Sequence, residues 1–392
     1  MRLKVPDGYV ATYASNPAHA EGIDAFIRRS PDRTLYHLPP YFNFWRAQSQ
    51  RFRDLLLLSR DGVALVAVPL QVEMNSAMLT SWTGALFPPA STERGLRRSV
   101  SALTALLDAN PHHIFEIIQS AQAPAYATSQ RPTLLARLLE SEGLPLESLY
   151  GRLLTLDEAT AEQVGQVALG RAHDLRPDVL ENPALARYDP DVRNQIRQAI
   201  KKRVTVAAFL VDDDRARAAV YTRFAVLHQE SWTRTGLEPH TFEYLLDLSR
   251  VIESSGGQDL VVVASDERGH DVAAVNCHLY EGRAIYWAGA STQDGLRLRA
   301  NPLCLHAAIS VAAATGAQVL ELGRFRPMEP AAKELSITKY KAQFGGEIVR
   351  LTSFRSRPRA LAALRKDVTA LALRPQQYAE LWRRRQAERS AR

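Results

Sequence analysis

Three apolar segments separated by very short turns limit the folds open to this chain more than any other feature. The segments 259–265, 271–280 and 283–288 are rich in Val, Ala, Ile and aromatic residues, and the linkers Asp266-Glu267-Arg268-Gly269 and Glu281-Gly282 carry turn residues. Short turns of this kind join neighbouring antiparallel strands. The sequence therefore predicts a three-stranded antiparallel meander in the second half of the chain.

Alternating helices and strands are predicted around this meander. A helix at 190–203, a strand at 204–210 and helices at 218–233 and 242–253 precede it, and a helix at 303–315 and a strand at 318–322 follow it. In the first half, a hairpin, a helix, a strand and a second helix follow one another. This order is typical of an α/β (α+β) fold.

The length and composition indicate two globular domains. The chain has 392 residues, of which 46% are hydrophobic, and this is enough for two packed cores. We predict a first domain over residues 1–155, a second domain over 156–355 that carries the active site, and a helical tail over 356–392 that packs on the first domain. The absence of a long apolar run or a recognisable signal sequence predicts a cytoplasmic protein without integral membrane contact. We also expect a monomer or a dimer.

The cysteine and histidine patterns argue against several kinds of site. Cys277 and Cys304 stand in apolar surroundings without the spacing of a zinc site or a disulfide framework, and we predict that both are buried. The sequence also lacks a phosphate-binding loop, a Gly-x-Ser-x-Gly elbow and a zincin pair of histidines, which disfavours a kinase, a serine hydrolase and a metallopeptidase. We therefore expect neither a metal nor a cofactor.

A lysine near a glycine pair marks the candidate active site. Tyr340 and Lys341 stand about one helical turn before Gly345-Gly346. A glycine pair is expected where the backbone turns through positive φ or where another group approaches closely. A lysine in this position can lie at the rim of a cleft, and an ordinary solvated lysine at the end of a helix is the alternative.

Several motifs occur in a fixed order before this lysine. They are Tyr286-Trp287-Ala288-Gly289-Ala290-Ser291, Ala300-Asn301-Pro302-Leu303, Leu320-Glu321-Leu322-Gly323-Arg324 and the box that contains Tyr340, Lys341 and Phe344-Gly345-Gly346. This order resembles the second GNAT domain of the Fem-type aminoacyltransferases and their BioF2-like acyltransferase relatives. The similarity covers residues 188–351 well and the first half only loosely. It implies two tandem GNAT-like domains and an enzyme that transfers an amino acid from charged tRNA to an amine acceptor, such as a peptide, a cell-wall precursor or a natural-product intermediate.

The resemblance also implies roles for individual residues. Lys341 occupies the position that supports the transfer step in the family, and Tyr340 is expected to shape the pocket beside it. Arg234 belongs to a segment that resembles the Thr-x-x-Arg-x-Gly box of the family, so it is expected to bind an acidic group of the acceptor, and a solvated helix-end arginine is the alternative. The other substrate-binding residues implied by the resemblance are Tyr41, Tyr286, Trp287, Asn301, His306 and Arg324.

Clusters of basic residues suggest a polyanionic partner. The chain has 49 basic and 42 acidic residues and a net charge of +7. The predicted tRNA-binding residues are Arg197, Lys201, Lys202, Arg355 and Arg357. Phosphate groups of a nucleic acid suit such clusters because neutralising them releases counterions, while solvated helix faces are the alternative explanation.

The donor is predicted to be aminoacyl-tRNA. Acetyl-CoA enzymes of this superfamily hold pyrophosphate in a Gly-rich loop before a helix. The corresponding residues 298–302 read Leu-Arg-Ala-Asn-Pro, so the loop is missing. An N-acyltransferase that uses acyl-CoA or an acyl carrier protein is the alternative, and a third possibility is a catalytically silent tandem GNAT module that binds a partner.

Overall fold

The computed structural model describes most of the chain. The described residues are 3–30, 33–48, 53–71, 78–81, 85–88, 92–110, 114–118, 134–142, 144, 146–167, 169–325 and 332–355. The predicted helical tail at 356–392, which includes Arg357, lies outside the described residues. Within the described part, none of the helices combines the length and the apolar character needed to span a bilayer.

The first half of the chain contains both strands and helices. Its strands are β1 (Val10–Tyr13), β2 (Arg53–Arg60), β3 (Val63–Gln71), β4 (Met78–Ser81), β5 (Ile114–Ile118) and β6 (Leu146–Thr155). Its helices are α1 (Ala20–Arg29), α2 (Pro39–Gln48), α3 (Glu93–Ala109) and α4 (Leu134–Ser141), with short 3-10 turns at Pro17–His19 and Leu35–His37. The predicted hairpin corresponds to β2 and β3, which pair antiparallel.

The second half contains the predicted meander. Its helices are α5 (Glu158–Val164), α6 (Pro177–Leu180), α7 (Pro190–Lys201), α8 (Asp214–Arg234), α9 (Phe242–Ser254), α10 (Gln293–Leu298), α11 (Ala300–Ala314) and α12 (Ala332–Ala342), with a 3-10 turn at Pro183–Arg187. Its strands are β7 (Ala172–Leu175), β8 (Thr205–Val211), β9 (Gln258–Ser265), β10 (Asp271–Tyr280), β11 (Arg283–Ser291), β12 (Val319–Phe325) and β13 (Glu347–Arg355). Strands β9, β10 and β11 pair antiparallel, which confirms the meander.

Local sequence explains where α7 begins and which side it buries. Asp189 is the N-cap and accepts a hydrogen bond from the backbone N–H of Asp191, and Pro190 occupies the first helical position, where its missing N–H has no cost. Val192 and Ile196 are fully buried one turn apart. The predicted amphipathic helix is therefore confirmed, and its basic residues lie on the outer side.

Strands from both halves join in one large sheet. Its ten strands run in the order β4-β5-β13-β6-β12-β11-β10-β9-β8-β7, and β1, β2 and β3 form a separate small sheet. Strand β13 comes after the candidate lysine in sequence, yet it lies between β5 and β6. The segment after the lysine is therefore anchored in the first half of the chain.

Helix α11 forms the centre of the core of the second half. Of its 15 residues, 13 are buried, as expected for a helix that is apolar on all sides. Cys304 of α11 and Cys277 of β10 are fully buried free thiols, which confirms the prediction for both. Burial raises the pKa of each thiol. They are therefore packing residues and not reactive groups.

Candidate active site

Strands β11 and β12 separate and leave an opening in the large sheet. They pair in parallel over only three positions, from Arg283 opposite Val319 to Ile285 opposite Glu321. Beyond this point β11 continues along β10, and β12 continues along β6. Beyond the last pair, the backbone N–H and C=O groups on the facing edges of β11 and β12 do not bond to each other. A ligand can therefore bind to these groups.

Lys341 lies at this opening. Its Nζ is 4.8 Å from the centre of the Tyr286 ring, which belongs to β11. On the other strand, a Cβ added to Gly323 would lie 2.9 Å from Nζ, and Gly323 has a φ of +95°. This positive φ favours glycine, and the absence of a Cβ leaves room for the amino group. The structure thus brings two of the predicted site residues, Lys341 and Tyr286, together.

The glycine pair after Lys341 forms the predicted turn. Gly345 and Gly346 have φ values of +78° and +83°, and a Cβ on either would lie within 3 Å of a backbone carbonyl oxygen. The guanidinium of Arg152, on β6, donates hydrogen bonds to both carbonyl groups of the pair, at 2.9 and 3.3 Å. The end of α12 that carries Lys341 is therefore held tightly against β6.

Burial controls the charge of Lys341. It lowers the pKa of the amino group from 10.5 to about 8, and the nearby Glu321 carboxylate opposes this effect. Burial also lowers the pKa of Arg324, again with Glu321 opposing. Glu321 is itself only 5% exposed. One carboxylate and two cationic side chains therefore share this part of the opening, which favours a ligand with negative charge.

Tyr340 faces the core beside Lys341. Its ring packs edge-on against Phe344, with 5.5 Å between the ring centres. Its hydroxyl is buried and has no hydrogen-bond partner within the described part of the chain. Burial raises the pKa of this hydroxyl well above its usual value of 10, so it remains protonated and available as a donor.

Tyr36 brings the first half of the chain to the opening. Its hydroxyl lies 3.0 Å from Nδ1 of His278, which belongs to β10. Burial raises the pKa of Tyr36 well above its usual value, the Glu321 charge adds to this effect, and Arg324 opposes it. Tyr36 therefore lies near the same charged residues as Lys341.

A buried chain of hydrogen bonds orients Tyr36. Asn276 donates to Asp259 at 2.6 Å, so its Oδ1 must accept from Nε2 of His278, which is 3.0 Å away. The Nδ1 atom of His278 then has no proton and accepts from Tyr36. Burial lowers the pKa of His278 to about 4, so the ring is neutral at pH 7. The second half of the chain thereby fixes the direction of the Tyr36 hydroxyl hydrogen.

Aromatic side chains fill the space next to this chain. Trp287 is the extra residue of a β-bulge in β11, since Asn276 pairs with Ala288 and Cys277 with Tyr286. The bulge directs the Trp287 ring to stack on His278 at 5.5 Å. Tyr41 packs on Tyr36, with ring centres 4.9 Å apart. Tyr41 and Trp287, which were predicted to bind substrate, therefore both lie along the contact between the two halves.

Arg234 is placed at a different point of β11. Its Nη2 donates to the carbonyl of Ser291 at 2.7 Å, and Nη1 donates to the side chain of Gln293 at 3.2 Å. Ser291 is five residues from Tyr286, or about 16 Å along an extended strand. Arg234 thus stabilises the end of β11, and a role in acceptor binding stays a prediction for the far end of the opening.

His306 is part of the core and does not join the other candidate residues. It is fully buried, its Nε2 donates to the carbonyl of Leu180 at 2.7 Å, and its Nδ1 accepts from the hydroxyl of Tyr188 at 3.1 Å. Burial lowers its pKa to about 4. With both ring nitrogens bonded to the protein, the geometry favours a structural role over the predicted substrate contact.

Asn301 lies in the first turn of α11. Its Oδ1 is buried without a hydrogen-bond partner among the described residues. Next to it, Pro302 has no backbone N–H, and Arg299 before the helix has a positive φ of 62°. This helix start therefore offers fewer free N–H groups to an anion than an ordinary helix start does.

The predicted tRNA-binding residues are divided between two elements. On α7, Arg197 pairs with Glu181 at 3.3 Å, and Lys202, directly after the helix, donates to the carbonyl of Arg297 at 2.8 Å. Lys201 is exposed. Arg355 ends β13, opposite Glu116 of β5. Lys202 places one basic cluster beside α10, the short helix that precedes α11.

Three residues of the site were not predicted from the sequence. Tyr36 and His278 are distant in sequence, and nothing in the sequence indicates their hydrogen bond. Glu321 lies within a predicted strand, where an isolated acidic residue between leucines is a sequence signal of a functional carboxylate.

Comparison with known proteins is consistent with this geometry. The model of an acetyltransferase (GNAT) domain family matches residues 190–341, from the start of α7 to the candidate lysine. Residues 190–341 are therefore similar to a GNAT domain. A search among curated proteins found no significant match.

Solved structures show the same fold over nearly the whole chain. FemX aligns with a TM-score of 0.62 and 12% identity, covering 88% of this chain and 98% of FemX. A tandem GNAT protein from the clavulanic acid biosynthesis pathway aligns with a TM-score of 0.50 and 11% identity, covering 90% and 98%. L-PGS from Bacillus licheniformis aligns with a TM-score of 0.51 and 13% identity, covering 91% and 96%. The predicted fold, two tandem GNAT-like domains, and the predicted similarity to Fem-type proteins are confirmed.

Proposed function

We propose that this tandem GNAT protein transfers an acyl or aminoacyl group from an activated donor to an amine at the opening between β11 and β12. The observation that carries the proposal is the position of Lys341, whose amino group lies at the separated strands with a pKa of about 8. A group that titrates this close to neutrality can both hold and release a proton during turnover. The GNAT match over residues 190–341 supports the same reaction class.

In the proposed reaction, the amine nitrogen attacks the carbonyl carbon of the donor ester. A carbon–nitrogen bond forms, the carbon–oxygen bond breaks, and the leaving oxygen takes up a proton. Lys341 is protonated at neutral pH and can supply that proton, or stabilise the charge that develops on the oxygen. The face of Tyr286 and the Glu321 carboxylate both favour the ammonium form before transfer. The amine loses its proton to solvent.

The proposed donor is aminoacyl-tRNA. Pro302 and the missing Gly-rich loop remove backbone donors from the start of α11, where this superfamily usually binds the pyrophosphate of CoA. Lys201 and Lys202 supply positive charge beside α10, next to this helix start. Side chains that neutralise several phosphates suit a nucleic-acid backbone. Acyl-CoA is the second candidate donor, because the similar tandem GNAT protein from the clavulanic acid pathway is described as a form without AcCoA.

A donor assay tests the proposal. The protein is incubated with total charged tRNA and a cell extract, and in parallel with a panel of acyl-CoA donors, and new amides are detected by mass spectrometry. A tRNA donor predicts a product that is lost after RNase treatment, and a donor KM that rises steeply with salt. A salt-insensitive reaction that releases a free thiol and survives RNase would instead identify acyl-CoA as the donor.

Charge reversal provides a matched control for this assay. Lys201→Glu combined with Lys202→Glu should raise the KM for a tRNA donor by roughly tenfold at low salt and barely affect a small donor. Arg94→Glu combined with Arg98→Glu changes the net charge equally on exposed positions of α3 in the first half. Equal effects of the two double variants would show that only overall charge matters and would remove the support from the α7 cluster.

A further inference from the structure

One row of residues crosses the large sheet at the point where β11 and β12 separate. His278 of β10 lies opposite Ile285 of β11, and Ile285 lies opposite Glu321 of β12. Side chains in one such row point to the same face of a sheet. Leu320 and Leu322, on either side of Glu321, are buried in the core around α11. Because neighbours along a strand point to opposite faces, the row faces away from α11.

Tyr36 packs on this face from the first half of the chain. Its hydroxyl lies 3.0 Å from Nδ1 of His278. Burial raises the pKa of the hydroxyl, and Tyr41 and Glu321 add to this effect. The side chain as a whole remains partly exposed. Tyr36 therefore places a protonated hydroxyl of the first half beside the point where the pairing of β11 and β12 ends.

Asn276 determines the direction of the Tyr36 O–H bond. Its amide group donates to Oδ1 of Asp259 at 2.6 Å and to the carbonyl of Leu260 at 3.2 Å. A backbone carbonyl can only accept, so the amide cannot be turned around. Nε2 of His278 must therefore donate to Oδ1 of Asn276, and Nδ1 must accept from Tyr36.

The Tyr36 oxygen can therefore act only as an acceptor toward a bound molecule. The hydroxyl has a single hydrogen, and His278 uses it. Among the residues that the structure describes, the oxygen makes no other hydrogen bond. An N–H group can donate to this oxygen, whereas a carbonyl, an ether or a carboxylate cannot bind to it by a hydrogen bond.

We propose that Tyr36 binds the acceptor amine by accepting a hydrogen bond from its N–H group. The inference rests on the proposed function, which brings an amine to the opening between β11 and β12. With one N–H held by Tyr36, the lone pair of the nitrogen remains free to attack the donor carbonyl. Tyr36 thus orients the nucleophile from the side of the first half, while Lys341 acts on the leaving oxygen.

Tyr188 provides a matched control in the same chain. Its hydroxyl donates to Nδ1 of His306 at 3.1 Å, and Nε2 of His306 donates to the carbonyl of Leu180 at 2.7 Å. This pair has the same direction of hydrogen bonding as Tyr36 and His278, but Tyr188 is only 5% exposed and belongs to the core around α11. Tyr188→Phe therefore removes a hydroxyl from a neutral histidine without changing the opening.

Nitrogen-15 NMR of the histidine-labelled protein tests the direction of the hydrogen bonds. The ring signals of His278 are those that change in Tyr36→Phe and not in Tyr188→Phe. We expect His278 to have a protonated Nε2 and an unprotonated Nδ1 at pH 7. A protonated Nδ1 would turn the Tyr36 hydrogen toward the bound molecule and overturn the inference.

Two neutral probes test the N–H contact by fluorine NMR titration at pH 7. The primary amine 2,2,2-trifluoroethylamine has two N–H bonds, and N,N-dimethyl-2,2,2-trifluoroethylamine has none. We expect saturable binding of the primary amine. Its preference over the tertiary amine should fall by roughly two- to tenfold in Tyr36→Phe, the scale of one lost hydrogen bond, and should be unchanged in Tyr188→Phe. No saturable binding of the primary amine, or an unchanged preference in Tyr36→Phe, overturns the inference.

These titrations contain no donor, so they separate the amine contact from the transfer reaction. A protein that shows the expected preference but transfers no acyl group would contradict the proposed reaction and support the amine contact. An active protein in which Tyr36→Phe binds both probes like the unmodified protein would overturn the amine contact and leave the proposed reaction intact.

Discussion

Replacement of Lys341 by methionine should lower activity and raise stability at the same time. Methionine has nearly the volume of lysine and fills the same space, but it removes the buried charge. The pKa of Lys341 falls from 10.5 to about 8 on folding. Since each pKa unit corresponds to about 1.4 kcal/mol, the protonated amino group destabilises the folded state by about 3 kcal/mol at pH 7. Lys341→Met should remove this penalty.

The dependence on pH identifies the cause of the effect. Below pH 8 the amino group is protonated in both the folded and the unfolded chain, so the full penalty is present. Between pH 8 and 10.5 the unfolded chain binds more protons than the folded one, and the stability of the unmodified protein rises relative to Lys341→Met. Above pH 10.5 the two proteins should have similar stability. Comparing the two proteins cancels the contribution of buried tyrosines and cysteines that titrate in the same range.

Urea unfolding of both proteins from pH 6 to 10.5 measures this difference. We expect Lys341→Met to be more stable by about 3 kcal/mol at pH 6 and 7, with the difference shrinking above pH 8. In the transfer assay the same variant should lose roughly 100-fold or more in kcat, the scale of removing one charge-stabilising group. A constant stability difference at all pH values would refute the buried-charge argument, and unchanged kcat would refute the catalytic role.

Three further replacements examine neighbouring parts of the site. Gly323→Ala introduces a Cβ at positive φ beside the amino group of Lys341, so it should lower the free energy of unfolding by roughly 1–3 kcal/mol and reduce kcat. Unchanged unfolding and kinetics would show that the amino group of Lys341 does not lie close to Gly323. Tyr36→Phe should cost about 1–3 kcal/mol of stability by leaving Nδ1 of His278 without a donor, and an unchanged melting curve would argue against the hydrogen-bond chain. Arg234→Lys keeps the charge but loses the planar fork, so the acceptor KM should rise while donor binding stays the same; a fall in donor affinity would assign Arg234 to the other substrate.

Local sequence patterns were sufficient for most elements of the second half. The turns after Ser265 and Tyr280 predict the meander because short linkers leave neighbouring strands no other way to pair. Gly345-Gly346 predicts a turn with positive φ, and the structure has one. These signals depend only on residues that are close together in sequence, so they can be recognised without knowledge of the fold.

The arrangement of strands was decided by tertiary structure. The register of β13 between β5 and β6 is a pairing of segments that are far apart in the chain, and no local pattern specifies such a partner. The same holds for Tyr36 and His278, which are 242 positions apart. The placement of Arg234 at Ser291, well away from Tyr286, also depends on how α8 packs on the sheet.

Sequence motifs identified Lys341 as the candidate residue, and only the fold determined its chemical state. A lysine is an ordinary solvated cation unless its surroundings remove water. Here the separated strands β11 and β12, the close approach of Gly323 and the ring of Tyr286 enclose the amino group beside Glu321. Desolvation is a property of everything packed around a group. The sequence could therefore single out Lys341, while the three-dimensional packing determined its pKa.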